Sequence, residues 1–436
     1  MGSGLKRLSI FMMIIVTVTI VPGLSSFSWA VEISNDWGGH IKVQGSFVDD
    51  DDRSLIAVFG EEHRWDGQAD FRLKDRLAMG MADVEIHYNA SYVTGDTYSG
   101  VRNLINALPF FPSSWVQGFA ISDRRRLFDL TSTVHEDNHD LLQHRLDRLC
   151  VSLKQPFYEL KLGRQAVTWG NGLVFNPMDL INPFSPTDTV RDYKTGDDLI
   201  FLAIEPGSDW NIQMTVVPRR DEITGDVEKD RSSLAVKLHA MAGPWETDVV
   251  AARHVDETLL GIGFSRNVGE ALFRSDVLYS TLNHGSGDEK GYISLIANLD
   301  RSWEAFGKNM YGLLEYHHNG LGHHDVDHAV TDPDLLQRIA HGEMYVFGRN
   351  YLGTMIRVEL HPLVQFTIGM IESLDTFSGI VQPRVHIDMT QNSNLQIGYN
   401  AYVGARGTEF GGIDIPGTDL TLSQGNSAYL ILGYYF

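Results

Sequence analysis

The sequence predicts an all-β protein: a transmembrane antiparallel up-and-down β-barrel of about 18 strands (16–20), with short periplasmic turns and long extracellular loops. Three observations support this fold class: the two-residue alternation of apolar and polar residues, the length of the alternating runs, and the pattern of short and long connections. Beyond residue 31, Gly or a charged residue interrupts every apolar run before it could span a bilayer as a helix. A closed set of strands is the other way to cross a membrane with every backbone group paired.

Alternation with a period of two recurs throughout the chain beyond residue 31. In 210–216, Trp, Ile, Met and Val share one face, and Asn, Gln and Thr share the other. The segments 234–239, 384–389 and 394–400 follow the same rule. A soluble sandwich turns the apolar face inward, whereas an outer-membrane barrel turns it toward lipid and lines its lumen with the polar face.

The alternating runs are about 9 to 13 residues long, which matches tilted membrane strands rather than the roughly 5 to 6 residues of soluble sheets. We identify 18 candidate strands, and an even number is usual for a single-chain bacterial barrel. They begin near residues 38, 66, 82, 143, 157, 198, 209, 231, 245, 258, 270, 290, 308, 349, 363, 379, 394 and 427.

Connections alternate between short and long when the first strand is taken to run outward from the periplasm. The predicted periplasmic turns are Gln155-Pro156, Gly207-Ser208, Gly243-Pro244, Val268-Gly269, His361-Pro362 and Gln391-Asn392. The predicted extracellular loops are 49–65, 95–142, 166–197, 218–230, 319–348 and 405–426. This asymmetry is typical of outer-membrane barrels and has no counterpart in a soluble sandwich.

The two ends of the sequence support export and insertion. Lys6 and Arg7 precede an uncharged apolar run, and Ser28-Trp29-Ala30 fits a cleavage site, so residues 1–30 are predicted to be a signal peptide cleaved near Ala30. Residues 31–436 then form a single barrel domain. The last strand ends on Phe436 and resembles the C-terminal signature that the barrel assembly machinery recognises. The predicted location is the outer membrane of a Gram-negative bacterium.

Composition excludes several functions. The formal net charge is -21, with 35 Lys+Arg against 56 Asp+Glu, and a nucleic-acid-binding protein would need a basic surface instead. The single cysteine excludes a c-type haem attachment site, which needs a pair of cysteines. We therefore expect no nucleic-acid partner and no cofactor.

Strand parity directs basic and acidic side chains in similar numbers into the lumen. Asp276 and Glu315 are among the acidic ones. Two interpretations remain open for each charge: a ring that selects solutes, or a cross-strand ion pair that only keeps the lumen hydrated. The lumen candidates are Arg72, Lys74, Arg148, Lys161, Arg274, Arg357, Glu359, Arg384 and Asp388.

The loop 166–197 is the predicted constriction. Its three prolines, several Gly and Asn residues, and apolar side chains indicate an ordered loop that folds inward and packs against the barrel wall. We expect its residues to narrow the pore. The candidate constriction residues are Arg164, Gln165, Trp169, Asn176, Asp179, Asn182, Arg191 and Asp192.

A short motif at this loop carries a family resemblance. Leu162-Gly163-Arg164-Gln165 is followed by Trp169-Gly170, then by Asn176-Pro177-Met178-Asp179 and Asn182-Pro183. This stretch of roughly 25 residues resembles a segment of bacterial outer-membrane porin-like proteins related to alginate-export barrels. The resemblance implies an outer-membrane β-barrel of the porin type.

A histidine-rich segment is a candidate metal site. Neutral imidazoles at this density, with Asp325 and Asp327 between them, can bind Zn, Cu or Ni. The alternative is a polar surface loop with only adventitious affinity for divalent ions. The candidate ligands are His317, His318, His323, His324 and His328.

The sequence thus predicts a porin-like channel for passive diffusion of small polar or charged solutes, and no enzymatic step. Its partners would be outer-membrane lipid, lipopolysaccharide, the barrel assembly machinery during insertion, and the solutes themselves. One alternative is a sheath around a separate multihaem cytochrome that conducts electrons. A less favoured alternative is an outer-membrane hydrolase, although we find no nucleophile elbow and no HExxH motif.

Overall fold

The structure is a computed structural model that describes residues 33–108, 121–187, 193–207, 209–282, 290–415 and 417–436. The predicted signal peptide lies outside these residues. Strand makes up 61% of the described residues and helix 8%. The strands are β1 (Ile33–Asp49), β2 (His63–Met79), β3 (Ala82–Gly95), β4 (Thr131–Glu136), β5 (Asp140–Gln155), β6 (Tyr158–Gln165), β7 (Asp197–Ile204), β8 (Trp210–Val217), β9 (Ser233–Ala242), β10 (Trp245–His254), β11 (Glu257–Val268), β12 (Ala271–Thr281), β13 (Gly291–Ala305), β14 (Lys308–Asn319), β15 (Asn350–His361), β16 (Val364–Ser373), β17 (Ser378–Asp388), β18 (Ser393–Val403), β19 (Ile413–Asp414), β20 (Thr421–Leu422) and β21 (Asn426–Tyr435).

Among the described residues, four short helices lie in the loops: α1 (Leu55–Phe59), α2 (Asp96–Ala107), α3 (Val326–Ala329) and α4 (Pro333–Ala340). Within the described ranges, none of the helices has the length and apolar character needed to span a membrane.

Eighteen antiparallel strands pair in sequence around a closed barrel. The last strand, β21, pairs with β18 on one side and with β1 on the other, from His40 opposite Tyr435 to Asp49 opposite Asn426. The short β4 pairs with residues 141–145 of β5, whereas β6 pairs with residues 149–155 of the same strand. The strands β19 and β20, of two residues each, form a separate hairpin. The predicted fold class is confirmed, and the strands begin within a few residues of their predicted positions.

Connection lengths differ between the two ends of the barrel. At the end that holds Ile33 and Phe436, most strands are joined by turns of two residues, and Gly243, Gly269 and Gly307 adopt φ of 64°, 63° and 67° there. Such left-handed positions suit glycine, which lacks the Cβ that would clash. The opposite end carries the long segments, so it is the extracellular end by the asymmetry of bacterial barrels.

Apolar side chains of the strands point away from the barrel axis. On β1, Val43 is 51% exposed on the outer surface, while its neighbours Lys42 and Gln44 face the lumen. On β21, Leu432 is 45% exposed and Ile431 only 6%. An exposed apolar belt on a closed barrel is stable only against lipid, because water would be ordered around it.

A β-bulge in β5 changes the charge pattern of the inner wall. The register between β3 and β5 shifts at His87/Tyr88, so that His87 is opposite Arg148 and Tyr88 is opposite Leu146. The extra residue, Asp147, is buried together with its neighbour Arg148. The bulge thus places two consecutive charged side chains on the same side of the wall, which regular alternation would forbid.

We predict that Val43→Arg destabilises the barrel because it places a charge in the lipid belt near the middle of β1. The expected loss in free energy of unfolding is about 2–4 kcal/mol, measured by urea titration in lipid vesicles. The control is Lys42→Arg, which keeps a cation at the neighbouring, lumen-facing position. It should leave the free energy of unfolding nearly unchanged. Equal losses for both variants would contradict the outward orientation of Val43.

Candidate pore and its inward-folded loop

The segment that follows β6 runs along the inner wall of the barrel. Gly163 leaves the regular strand conformation with φ of 120°. Trp169 Nε1 then donates to Gln213 Oε1 on β8 at 2.7 Å. Further on, the backbone N–H and the side-chain Nδ2 of Asn171 donate to the two carboxylate oxygens of Asp276 on β12, at 2.6 and 2.7 Å. The wall therefore provides the hydrogen-bond partners that an irregular segment lacks.

Glu315 on β14 forms the tightest attachment of this segment. Its carboxylate accepts the consecutive backbone N–H groups of 173, 174 and 175 at 2.7, 3.1 and 2.6 Å. Asn298 Nδ2 donates to the same carboxylate at 3.1 Å and to the carbonyl oxygen of Asn171 at 3.0 Å. Glu315 is fully buried, and charge-assisted hydrogen bonds of this kind are about twice as strong as neutral ones.

Apolar contacts fix the segment on both sides of Glu315. Trp169, Met178 and Ile181 belong to one buried cluster with wall residues of β7 to β12. Phe175 belongs to a second cluster with wall residues of β13 to β17 and stacks on His317 with ring centroids 4.6 Å apart. The wall residues of the two clusters are Leu199, Phe201, Ala203, Val217, Ala235, Val250, Ala252, Leu259, Leu278, Ile296, Tyr351, Ile371 and Ile380.

Two glycines allow the segment to turn sharply beside these clusters. Gly170 adopts φ of 87°, and a Cβ there would lie 2.1 Å from Asn176 Oδ1. A Cβ on Gly172 would lie 1.7 Å from the carbonyl oxygen of Phe175. Asn176 closes the turn by donating from Nδ2 to the carbonyl oxygen of Trp169 at 2.8 Å. Among the motif residues, Trp169 and Asn176 therefore shape the loop.

The segment reaches both sides of the lumen. The carbonyl oxygen of Thr187 accepts from Gln382 Nε2 on β17 at 3.3 Å. Across the lumen, the Tyr193 hydroxyl accepts from Asn89 Nδ2 on β3 at 3.1 Å. The Arg72 guanidinium on β2 lies 3.7 Å from the Tyr193 ring centroid. The predicted constriction residues Arg191 and Asp192 lie outside the described residues.

Arg164 and Gln165 are buried at the base of the segment and do not face open lumen. Arg164 makes two parallel bonds of 2.9 Å to Asp198, donates to Asp123 at 2.7 Å, and donates to the carbonyl oxygen of Phe128 at 2.6 Å. Burial opposes ionisation of the Asp123 carboxyl, but the guanidinium groups around it hold its pKa well below its usual range. Arg164 therefore anchors the start of the loop to the wall.

The predicted lumen charges divide into paired and unpaired groups. Arg72 and Arg148 both bind Asp147, at 2.8 and 2.7 Å, and Arg274 pairs with Asp300. Lys161 pairs with Glu159 at 3.3 Å, Asp388 contacts His386 at 3.1 Å, Glu359 accepts from Asn309 at 3.0 Å, and Lys74 lines the periplasmic mouth. Of these ion pairs, only Arg72–Asp147 and Arg274–Asp300 join different strands, and the others lie within one strand.

Arg357 and Arg384 form no ion pair with the residues that the structure describes. Arg357 on β15 is opposite Thr367 on β16, which is opposite Arg384 on β17. The two cations thus share one level of the inner wall, two strand spacings or about 10 Å apart.

The described residues line cavities at the extracellular end, beside the inward-folded segment and at the periplasmic mouth. An extracellular vestibule of about 670 Å³ lies between the long loops, and an inner cavity of about 440 Å³ lies beside the inward-folded segment. Lys194 lines both of them, and it pairs with Asp179. Burial raises the pKa of Asp179 to about 7 despite Lys194. A third cavity of about 600 Å³ opens at the periplasmic mouth.

Asn182 and Arg384 line different cavities. Asn182 lines the vestibule, whereas Arg384 lines the inner cavity together with loop residues such as Phe175 and Phe184. The inner cavity is therefore bounded by apolar loop side chains on one side and a cation on the other.

The histidine-rich segment does not bring its five imidazoles together. His317 lies under Phe175 in the wall, and His318 contacts Asn350 at 3.0 Å. The other three each contact a different carboxylate at 2.7 Å: His323 with Asp332, His324 with Asp375, and His328 with Asp325. The segment folds instead into α3 and α4, and Arg338 on α4 pairs with Glu257 on β11.

Glu409 in the last extracellular loop was not singled out by the sequence. It accepts the backbone N–H of Phe347 at 2.9 Å and the Tyr351 hydroxyl, so it links two extracellular loops at the vestibule. Burial raises the pKa of Glu409 to about 7, although both of these donors favour the ionised form. Only the tertiary contacts distinguish this carboxyl from other loop acids.

We predict that Glu315→Gln loosens the inward-folded segment, because a neutral amide replaces the carboxylate that accepts three N–H groups. Hydrogen exchange at 173–175 should accelerate about tenfold to a hundredfold, which corresponds to the loss of charge-assisted hydrogen bonds. Glu359→Gln, at a lumen carboxyl that contacts only Asn309, is the control. Unchanged exchange in the Glu315 variant would show that the Glu315 carboxylate does not hold residues 173–175 against the wall.

A second prediction concerns pH. The pKa of Glu409 is raised above the ordinary value of 4.5, so its contribution to the loop contact is complete below about pH 4.5 and is lost as pH rises through about 7. Exchange of the Phe347 amide should therefore be faster at pH 8 than at pH 5, after correction for the intrinsic rate.

Glu409→Gln should remove this pH dependence, since the amide imitates the protonated carboxyl. Glu228→Gln, in the exposed 218–232 loop, should retain it. A pH dependence that persists in the Glu409 variant would assign the effect to another group.

Comparison with known proteins places the fold. No protein-family model matches the sequence, and no curated protein matches it. The structure is similar to OccAB1 of Acinetobacter baumannii, with a TM-score of 0.53 and 8% identity over 92% of this chain and 96% of that one. It is also similar to OccAB4 of the same species (TM-score 0.51, 9% identity, 92% and 98% covered) and to OccK5 (OpdH) of Pseudomonas aeruginosa (0.50, 11%, 92% and 98%). These structures do not support the narrower resemblance to alginate-export barrels. The chain has the 18-stranded barrel fold of outer-membrane porins.

Proposed function

We propose that this protein is a channel for passive diffusion of small polar or charged solutes across the outer membrane of a Gram-negative bacterium. The observation that carries the proposal is the inward-folded segment, which Glu315 and Asp276 hold against the wall and which leaves a cavity of about 440 Å³ beside it. A segment fixed in this way narrows the lumen to a defined size. Solutes would cross by diffusion, with no chemical step.

Shared lining residues support a continuous path from outside into the inner cavity. Lys194, His254 and Glu343 border both the vestibule and the inner cavity. Lys194 and Glu343 bring one charge of each sign to this border, so the entrance is polar although apolar loop residues lie below it. The outer surface would contact lipid and lipopolysaccharide, and the barrel assembly machinery would insert the chain.

The described segments argue against a cytochrome sheath. Such a sheath would need a lumen wide enough for a second protein. Here the inward-folded segment and the α3–α4 loop occupy it, and the inner cavity of about 440 Å³ has the size of a small-molecule site. We therefore do not retain that alternative.

We expect Arg357 and Arg384 to set ion preference, because their charges are not cancelled by a neighbouring carboxylate. At about 10 Å in water, one unit charge changes the energy of a passing ion by about 0.4 kcal/mol, or a factor of about two. Each charge favours the anion and disfavours the cation by this factor, so the double variant Arg357→Gln/Arg384→Gln should lower the anion-to-cation permeability ratio about sixteenfold.

The measurement is the reversal potential of single channels in planar bilayers under a salt gradient. Arg357→Lys/Arg384→Lys keeps both charges and should retain the wild-type reversal potential. Channels that never conduct, in wild-type protein shown to be folded, would overturn the proposed function. Conducting channels with unchanged selectivity in the Gln variant would overturn only the role of the two arginines.

A further inference from the structure

A group of potential metal ligands lies on the extracellular turn between β4 and β5, away from the pore. His135, Asp137 and Asp140 each offer one ligand atom, and the three atoms lie within 4.8 Å of one another. Within the described part of the chain, this is the only group of three His, Cys, Asp or Glu residues that meets this distance condition. The histidine-rich segment 317–328 does not meet it.

The turn holds the two carboxylates in place without using their full capacity. One oxygen of Asp137, Oδ1, accepts the backbone N–H groups of His139 and Asp140 at 2.7 and 2.8 Å. Its other oxygen, Oδ2, lies 3.3 Å from His135 Nε2. On β3, the Tyr92 hydroxyl donates to Asp140 Oδ1 at 2.6 Å, and the Thr94 side chain also hydrogen-bonds to this carboxylate.

Charge on this turn is not balanced by lysine or arginine. The described ion pairs of Asp137 and Asp140 include no such side chain, and the only ion pair of Asp137 is with His135. Arg102 lies nearby but pairs with Glu136 at 2.7 Å. Within the described residues, the carboxylates of the turn therefore have no lysine or arginine that competes with a cation for them.

The donor set identifies the class of ion. One imidazole nitrogen and two carboxylate oxygens suit Zn²⁺, whereas Mg²⁺ and Ca²⁺ prefer oxygen ligands alone. Ligand atoms around tetrahedral Zn²⁺ lie about 3.4 Å apart, given bonds of about 2.0–2.2 Å. The separation of 3.3 Å between His135 Nε2 and Asp137 Oδ2 already fits this geometry. The exposed turn leaves a fourth position open to water.

We propose that His135, Asp137 and Asp140 form an extracellular Zn²⁺ site that staples the β4–β5 turn. Half of the His135 and Asp137 side-chain surfaces is exposed, at 55% and 49%, so an ion can enter directly from the medium. The site is separate from the pore, and its test does not depend on whether the channel conducts.

The test is calorimetric titration of the folded full-length barrel in detergent with ZnCl2 at pH 7.5. The wild type should bind about one equivalent at this site. Asp137→Asn keeps an oxygen that accepts both backbone N–H groups but replaces Oδ2 with an NH2 group, so the turn is preserved while a ligand is lost. We expect its affinity for Zn²⁺ to fall at least about tenfold.

Asp325→Asn is the matched control. Asp325 also accepts a backbone N–H, from His328 at 2.9 Å, and contacts the same imidazole through its carboxylate, but it lacks a third ligand. This variant should bind Zn²⁺ as the wild type does. Wild-type affinity in the Asp137 variant, or no binding by the wild type, would overturn the proposal.

A second comparison separates the two candidate locations. If His323→Ala/His324→Ala abolishes binding while Asp137→Asn does not, the ion is held by the histidine-rich segment, and our assignment to the β4–β5 turn is wrong. Retained binding in the His323/His324 variant, together with loss in the Asp137 variant, would support the turn.

Discussion

Backbone N–H and C=O groups inside a bilayer have no water to bind, and each unpaired group there costs several kcal/mol. The pairing of β21 with β1 satisfies this constraint, because it removes the two sheet edges that any open arrangement would leave in lipid. Once the sheet is closed, its two surfaces face different solvents. The outer surface must be apolar and the inner surface can be polar, so the two-residue alternation of the strands follows from closure.

The inward-folded segment obeys the same constraint in a different way. It has no strand partner over 166–187, and its backbone groups are removed from bulk water by the clusters around Trp169 and Phe175. Glu315 replaces the missing partners by accepting three consecutive N–H groups, and Asp276 accepts the N–H of Asn171. Carboxylates of the inner wall therefore hold the segment that narrows the lumen. The width of the lumen thus depends on a few buried acids.

Charges of the inner wall have unequal roles for the same reason. Asp147 is brought into the wall by the β5 bulge and binds both Arg72 and Arg148, so these cations support the loop base. Arg357 and Arg384 lie on strands where parity supplies no acid at the same level, and neither forms an ion pair with the described residues. A balanced count of lumen charges therefore conceals an uneven distribution. Which cations are paired depends on the residues opposite them on neighbouring strands and on the bulge in β5.

The sequence by itself determined the barrel, the approximate start of each strand, the direction of each face and the place of the inward loop segment in the chain, because alternation with period two and turn-forming residues are local signals. It also placed Asp276 and Glu315 in the lumen. Their role as clamps, the burial of Arg164, the dispersal of the five histidines and the link made by Glu409 were decided by the tertiary structure alone. Each of these features depends on contacts between residues that are far apart in the chain. The two-residue periodicity is a local signal and contains no information about such contacts. The turn at His135, Asp137 and Asp140 lies between these cases: the spacing is visible in the sequence, but only the hairpin between β4 and β5 shows that the three side chains converge.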